Sequence, residues 1–286
     1  MKFLIFGSTG QLGREVLKEV KKQRLPFVAL SHEDIEITDH SAVRDTMKNL
    51  KPDIVLNCTA YNNVDRAELE PDVAFRVNSL AVRNLAECSR EVGAILVHFS
   101  TDYVFDGTKG APYTTNDQPN PINTYGKSKL EGELHIMDIM QRYFIIRVSW
   151  LFGTGRSNFP LKLLEMSQRE TTIKVATDQI NSPTYTVDAA KAIMELILKG
   201  KYGLYHLTNR GYCSRFEWAT EILRESGWNG ELLPARAEDF PSPARRPLFT
   251  VLDSSKFEKE TGFSMPEWRD AVRRFIESIK RGNNAN

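Results

Sequence analysis

Phe3-Leu4-Ile5-Phe6-Gly7-Ser8-Thr9-Gly10-Gln11-Leu12-Gly13 is the stretch that decides the fold. Four consecutive apolar residues describe a strand buried on both faces, because a half-exposed strand would alternate apolar with polar. Three glycines follow at the spacing G-x-x-G-x-x-G, and an amphipathic stretch from Gln11 to Lys22 begins among them. A strand that turns so tightly into a helix needs glycine where φ is positive and where backbone closely approaches a ligand. The helix then aims free N–H groups and the positive end of its dipole at one point, a seat for the pyrophosphate of a dinucleotide.

Working outward, the same alternation repeats. Apolar runs at 27–30, 54–57, 95–99 and 144–148 read as buried strands, and helical patterns occupy 41–49, 72–92 and 125–141. Buried strands separated by helices imply βαβ crossovers and a parallel sheet covered on both faces. The predicted fold is therefore α/β, a doubly wound, Rossmann-like parallel sheet. After Trp150 the rhythm changes. Helices are expected at 157–168, 187–199, 214–226 and 266–280, and Tyr205-His206-Leu207 suits one more sheet strand. Pro234, Pro241, Pro243 and Pro247 mark 229–247 as a loop. Residues 1–150 thus form an expected NAD(P)-binding domain to which 173–207 return. Residues 151–286 form a smaller, mostly helical, mainly substrate-binding part.

Size and charge narrow the function. With 286 residues the chain can bury a sizeable core. Lys and Arg number 38 against 37 Asp and Glu, so the basic excess of a nucleic-acid binder is missing. Cys58, Cys88 and Cys213 are scattered, with neither a C-x-x-C pair nor zinc-like spacing to the histidines, so they read as small buried residues of a cytoplasmic protein, and no metal is expected. The apolar start is too short for a signal peptide or a membrane span, and no membrane partner is expected.

The chemistry lies in Tyr125-Gly126-Lys127-Ser128-Lys129, where the phenol and the ammonium stand four residues apart and share a helix face. Reducing a ketone requires a hydride on carbon and a proton on oxygen. Free tyrosine, with a pKa of about 10, donates poorly at neutral pH, and a neighbouring lysine cation is expected to bring that pKa down. Ser100-Thr101-Asp102 closes the fourth strand, and ligands of open α/β sheets bind beyond the carboxyl ends of the strands. Thr101 is therefore placed to hold the substrate carbonyl beside Tyr125. After the second strand come Ser31, His32, Glu33 and Asp34. Glu33 or Asp34 is a candidate for bonding the ribose hydroxyls, and no Arg stands there for a 2′-phosphate, so NADH is slightly favoured over NADPH with both admitted.

These residues carry a resemblance. The glycine spacing, with Asn57-Cys58-Thr59-Ala60-Tyr61 after the third strand, is similar to the extended short-chain dehydrogenase/reductase superfamily, although Cys58 and Thr59 replace its usual small alanines. More specifically, His98-Phe99-Ser100-Thr101-Asp102-Tyr103-Val104-Phe105-Asp106-Gly107 resembles the hallmark of the dTDP-4-dehydrorhamnose reductase family. Tyr61-Asn62-Asn63-Val64-Asp65, Arg147-Val148-Ser149-Trp150-Leu151-Phe152-Gly153 and Asp178-Gln179-Ile180-Asn181-Ser182-Pro183-Thr184-Tyr185 add to it, as does the tail with Arg246-Pro247, Leu252-Asp253 and Pro266-Glu267-Trp268. The resemblance spans essentially the whole chain. It implies reduction of dTDP-4-dehydro-β-L-rhamnose at C4 to dTDP-L-rhamnose by NADH or NADPH, with Thr101, Tyr125 and Lys129 as the catalytic set. Gly7, Gln11, Leu12, Glu36 and Ile37 would line the cofactor with Thr59, Ala60 and Tyr61, beside the Gly10 and Gly13 of the turn; Glu36 stands where an aspartate is common. Val64, Thr101, Asp102, Tyr103 and Trp150 would line the sugar. Some members use Mg²⁺ at a carboxylate dimer contact matched by Glu15, but no glutamate partner follows Pro183, so the metal is not carried over; a homodimer is left open. Arg210, Arg245 and Arg246 read individually as solvated charges rather than diphosphate ligands.

Two other readings compete. Relatives of this family serve as the non-catalytic regulatory partner of methionine adenosyltransferase, but the presence of Thr101, Tyr125 and Lys129 argues for catalysis. Another nucleotide-deoxysugar reductase or a 4-epimerase would use the same Tyr and Lys, an epimerase keeping its NAD bound throughout the cycle.

Overall fold

The computed structural model describes residues 1–283, and the side chains of residues 1–281. The strands in chain order are β1 (Phe3–Phe6), β2 (Phe27–Leu30), β3 (Ile54–Asn57), β4 (Ile95–Thr101), β5 (Tyr143–Val148), β6 (Leu151–Phe152), β7 (Thr172–Ala176), β8 (Ile180–Asn181), β9 (Thr184–Tyr185), β10 (Gly203–His206), β11 (Cys213–Ser214) and β12 (Glu231–Ala235). The helices are α1 (Gln11–Lys22), α2 (His40–Leu50), α3 (Val64–Leu69), α4 (Pro71–Phe75), α5 (Ala81–Val92), α6 (Thr124–Ile139), α7 (Phe159–Ser167), α8 (Thr186–Lys199), α9 (Arg215–Ser226), α10 (Ser255–Thr261) and α11 (Trp268–Asn283). Six parallel strands make the central sheet in the order β10-β5-β4-β3-β1-β2. The order reverses at β1, between β2 and β3, and the carboxyl ends of β1, β3 and β4 open side by side there.

Strand alternation sends neighbouring residues to opposite layers. Phe3, Ile5, Leu56, Val97 and Ile146 pack against α1 and α8, while Leu4, Phe6, Val55, Leu96 and Ile145 pack against α2, α5 and α6. Each such side chain stabilises the fold by roughly 1.5–3 kcal/mol when fully buried. A third core, built on Trp218, Trp268, Phe275, Ile173 and Leu163, holds α7, α9, α11 and β7 together.

Three features depart from the expectations. Residues 72–92 are not one helix: α4 passes into a π turn at Arg76–Leu80 before α5, and α3 precedes them. Asn78 in that turn bonds both the N–H and the carbonyl of Tyr61, at 2.9 Å each, and donates to Ser128 Oγ. A Cβ on Gly132 of α6 would stand 2.2 Å from the Asn78 carbonyl oxygen, so the turn lets α6 approach this closely. The expected loop at 229–247 contains β12, which pairs in parallel with β7, Pro234 lying opposite Val175; a two-stranded ribbon is all edge, where the missing N–H is tolerated. Within 173–207, β7, β8 and β9 lie outside the central sheet, and only α8 and β10 join it.

Candidate active site

The first glycine turn forms as chemistry demands. Gly7 sits at φ 74, in the left-handed region, and a Cβ there would press against the Cys58 backbone. A Cβ on Gly13 would stand 2.2 Å from the Gly7 carbonyl oxygen, so the third glycine is required for helix-to-turn packing. Helix α1 is preceded by Gly10 as its N-cap, with no side-chain cap, leaving its first-turn N–H groups without a capping partner. They open on a cleft of about 820 Å³ beyond the carboxyl ends of the strands.

Gly7, Gly10, Gln11, Leu12, Glu36, Ile37, Thr59, Ala60, Thr101, Asp102, Tyr125, Lys129 and Trp150 all line this one cleft. Gly13, Tyr61, Val64 and Tyr103 do not. Gly13 lies beneath the turn, Tyr61 donates its hydroxyl to Glu70 at 2.7 Å, and Val64 opens α3. Tyr103 meets Tyr125 edge-on, with ring centroids 6.0 Å apart. At the other end of the cleft, Asp34 is turned to the Ser31 N–H and hydroxyl at 2.7 Å, so its carboxylate holds the turn; Glu33 lies off the cleft, and Ser31, His32 and Glu36 border it instead. The Thr38 N–H and hydroxyl bind Glu36 and keep its carboxyl below the ordinary range. Arg156 and Ser157 close the cleft, tied in by Asn158 donating to Gln11 Oε1 at 3.1 Å.

At the catalytic end, Thr101 finishes β4, and its hydroxyl accepts from the Tyr103 N–H and donates to Asp102 Oδ1, each at 3.1 Å. Asp102 is buried; its Oδ2 accepts from Asn181 at 2.7 Å and from Thr250 at 2.6 Å. Burial nevertheless lifts its pKa to about 6, the hydrogen bonds offsetting only part of that cost. Asn123 caps α6 by accepting from the Gly126 N–H, which presents Tyr125 on the first turn. Burial raises the Tyr125 phenol above its usual 10, and the Thr101 hydroxyl, its hydrogen-bonding neighbour, lowers it. Lys129 does not enter that balance. Its Nζ donates to the Phe99 carbonyl at 2.6 Å and lies 3.2 Å from His98 Nε2, and burial pulls its pKa down to about 8. The expected lowering of the phenol by this lysine is therefore absent from this arrangement, because its Nζ faces β4.

Several residues escaped the sequence reading. His98 and Asn57 are buried behind Lys129, 3.1 Å apart. Arg215 stacks its guanidinium on Trp150 at 4.0 Å, and Trp150 in turn stacks on Trp218 at 5.1 Å. Arg246 is half-buried rather than solvated, pairing with Asp65 at 2.7 Å beside Tyr103, whereas Arg210 does face solvent, paired with Glu267. Only their positions after strands or near prolines hinted at them. Ser100 Oγ, in the cleft wall, has no hydrogen-bond partner among the described residues. An uncapped helix terminus and an orphaned buried hydroxyl facing one cleft fit a dinucleotide. Among the described residues no group of three or more His, Cys, Asp or Glu converges as a metal site, and no helix is long and apolar enough to cross a membrane.

A doubly wound sheet with its glycine turn, Tyr-x-x-x-Lys helix and strand-end threonine meeting in one cleft defines an extended short-chain dehydrogenase/reductase. Within that class, the family model described as RmlD substrate binding domain matches residues 1–281, and the chain belongs to that family. It is 38% identical over 276 residues to the spore coat polysaccharide biosynthesis protein SpsK of Bacillus subtilis, covering 96% of this chain and 97% of that protein. Its structure resembles a dTDP-4-dehydrorhamnose reductase of Clostridium acetobutylicum with TM-score 0.95 and 37% identity, covering 98% of this chain and 100% of the other. A dTDP-4-dehydrorhamnose reductase of Bacillus anthracis, solved in complex with NADP, gives TM-score 0.94 at 35% identity, with 97% and 99% covered.

Proposed function

We propose that this chain reduces the C4 keto group of dTDP-4-dehydro-β-L-rhamnose, giving dTDP-L-rhamnose, with NADH or NADPH as reductant. The observation that carries the reading is the convergence of Thr101, Tyr125 and Lys129 in the cleft onto which the uncapped α1 terminus opens. When bound, the reduced nicotinamide supplies the hydride. The protein's own groups supply the rest. Gly7, Gly10, Gln11 and Leu12 hold the pyrophosphate, with Gly13 packing the turn from below, while Glu36, Ile37, Thr59 and Ala60 shape the walls. Thr101 orients the ketone, held in place by its bond to Asp102. Tyr125 stays protonated at neutral pH because burial raises its pKa, so it is loaded as the donor to the ketone oxygen. Lys129 fixes the nicotinamide end and tunes the phenol once its Nζ turns from β4 toward the cleft.

Trp150, pinned between Arg215 and Trp218, serves as the aromatic wall of the sugar side, with Tyr103 and Val64 further out. Arg215 and Arg246, close enough to repel each other, suit a diphosphate. In this reading residues 1–150 with α8 and β10 bind the dinucleotide, and the third core carries the sugar nucleotide. A cytoplasmic setting fits the three free cysteines.

The test mixes purified protein with dTDP-4-dehydrorhamnose and NADH or NADPH and follows loss of the reduced-nicotinamide absorbance. Cofactor consumption with a product carrying two added hydrogens is the expected result. No consumption with either cofactor overturns the proposal, and copurified stoichiometric NAD without net turnover would point to epimerisation instead.

A further inference from the structure

Behind the cleft runs a line of hydrogen bonds whose direction is set by one backbone donor. The Thr59 N–H donates to Asn57 Oδ1 at 3.1 Å, and the Thr59 hydroxyl donates to the same oxygen at 2.6 Å. The amide orientation of Asn57 is thereby fixed, and its Nδ2 faces His98 Nδ1 at 3.1 Å. An amide NH₂ only donates, so Nδ1 is the bare, accepting nitrogen and a neutral ring carries its proton on Nε2. That Nε2 lies 3.2 Å from Lys129 Nζ. An N–H can donate only to a nitrogen with a free lone pair, which an amine has and an ammonium lacks. One Lys129 donor is still used by the Phe99 carbonyl.

The surroundings agree with this polarity. Asn57 and His98 are register partners across β3 and β4, both buried, with Lys129 of α6 laid over them. Burial holds the His98 pKa well below its ordinary value, and a charged Lys129 lowers it further, so the ring is neutral in either state of the lysine. Facing Lys129 are Tyr125 and Glu133 from α6 and His98 from β4, with Asp102 beyond the β4 end. Only Glu133 favours the ammonium, and its carboxylate is engaged by Arg147 of β5 through contacts of 2.6–3.2 Å.

We propose that His98 is a positioning residue for the reaction: held by Asn57 with its proton on Nε2, it donates to the Lys129 amine, favours the uncharged lysine in the protein without nucleotide, and makes proton uptake accompany dinucleotide binding. This rests on the reading of Lys129 as the group at the nicotinamide end. In the molecules whose Lys129 is an amine, the tyrosine-tuning ammonium is then formed as the cofactor is loaded, its proton entering from solvent.

Two measurements test it. Long-range ¹H–¹⁵N correlation of the imidazoles, with His98→Phe identifying the signal, should show the Nε2–H tautomer of His98 at pH 9, where Lys129 is an amine. The Nδ1–H tautomer, or an imidazolium, overturns the proposal. Calorimetry of NADPH binding in two buffers of different ionisation heat needs no variant. With Lys129 titrating near 8, wild type should take up about half a proton at pH 8, and Lys129→Met should take up none. Asn57→Asp puts an acceptor against Nδ1, so it should move the ring proton there and abolish the uptake. Zero uptake or proton release by wild type refutes the role. Keto-sugar turnover by wild type is scored separately: without it the functional reading fails whatever the tautomer, and with it an Nδ1–H ring removes only the assignment of His98.

Discussion

Replacing Tyr125 by phenylalanine keeps the ring and deletes only the hydroxyl. The ring's edge-on contact with Tyr103, at 6.0 Å between centroids, and the Asn123 cap of α6 are untouched. The melting temperature should therefore stay within about 2 °C of wild type. Catalysis is a different matter. A positioned acid is worth roughly 10²–10⁴-fold. Burial lifts this phenol above 10, so it is fully protonated at pH 7.5 but a weaker acid, with a smaller advantage over a water molecule entering the open cleft. The expected loss is thus in the lower half of that range, about 10²–10³-fold in turnover, or about 3–4 kcal/mol at 1.36 kcal/mol per decade. Steady-state and single-turnover oxidation of NADPH with dTDP-4-dehydrorhamnose would read it, with NADPH affinity measured alongside. Turnover within threefold of wild type, with the fold intact, would remove Tyr125 as the proton donor.

Gly13→Ala places a methyl 2.2 Å from the Gly7 carbonyl oxygen, so thermal unfolding should show a loss of about 1–3 kcal/mol, with NADPH affinity falling as the turn shifts; an unchanged affinity would contradict the role of the turn. Glu133→Gln leaves the buried Arg147 unpaired and should cost about 3–5 kcal/mol in urea unfolding. Asp102 carries the pH dependence. Its folded pKa of about 6 lies above the unfolded value of about 3.9, so its contribution is most favourable below pH 4 and is lost as pH rises toward 6. Between those limits Asp102→Asn should gain on wild type by up to about 3 kcal/mol, and parallel stability curves would show that the carboxyl is not perturbed.

What could be read along the chain was what local chemistry expresses. The runs at Phe3–Phe6 and Ile54–Asn57 are unbroken because both faces of a parallel strand are covered, and the glycines at 7, 10 and 13 mark a turn that larger residues would block. Tyr125 and Lys129 announced themselves by their spacing on one helix. The π turn at Arg76–Leu80 did not, because it answers to the approach of Gly132 from another helix. Strand β12 was hidden for a like reason: Pro234 within it and the prolines that follow argue for a loop, and only pairing with β7 makes the extended backbone worth ordering.

Fold class was determined by sequence alone, and the glycine turn and the three candidate catalytic side chains could be named there, since these depend on periodicity or on position within one element. The tertiary structure decided which groups surround them: that Lys129 faces His98 and a β4 carbonyl, that Asp102 is held by Asn181 and Thr250, and that Arg215 lies on Trp150. Those partners come from segments 30 to 148 residues away or from separate crossovers. Burial and hydrogen-bond direction, which set the charge each group carries, exist only once the register of those crossovers is in place.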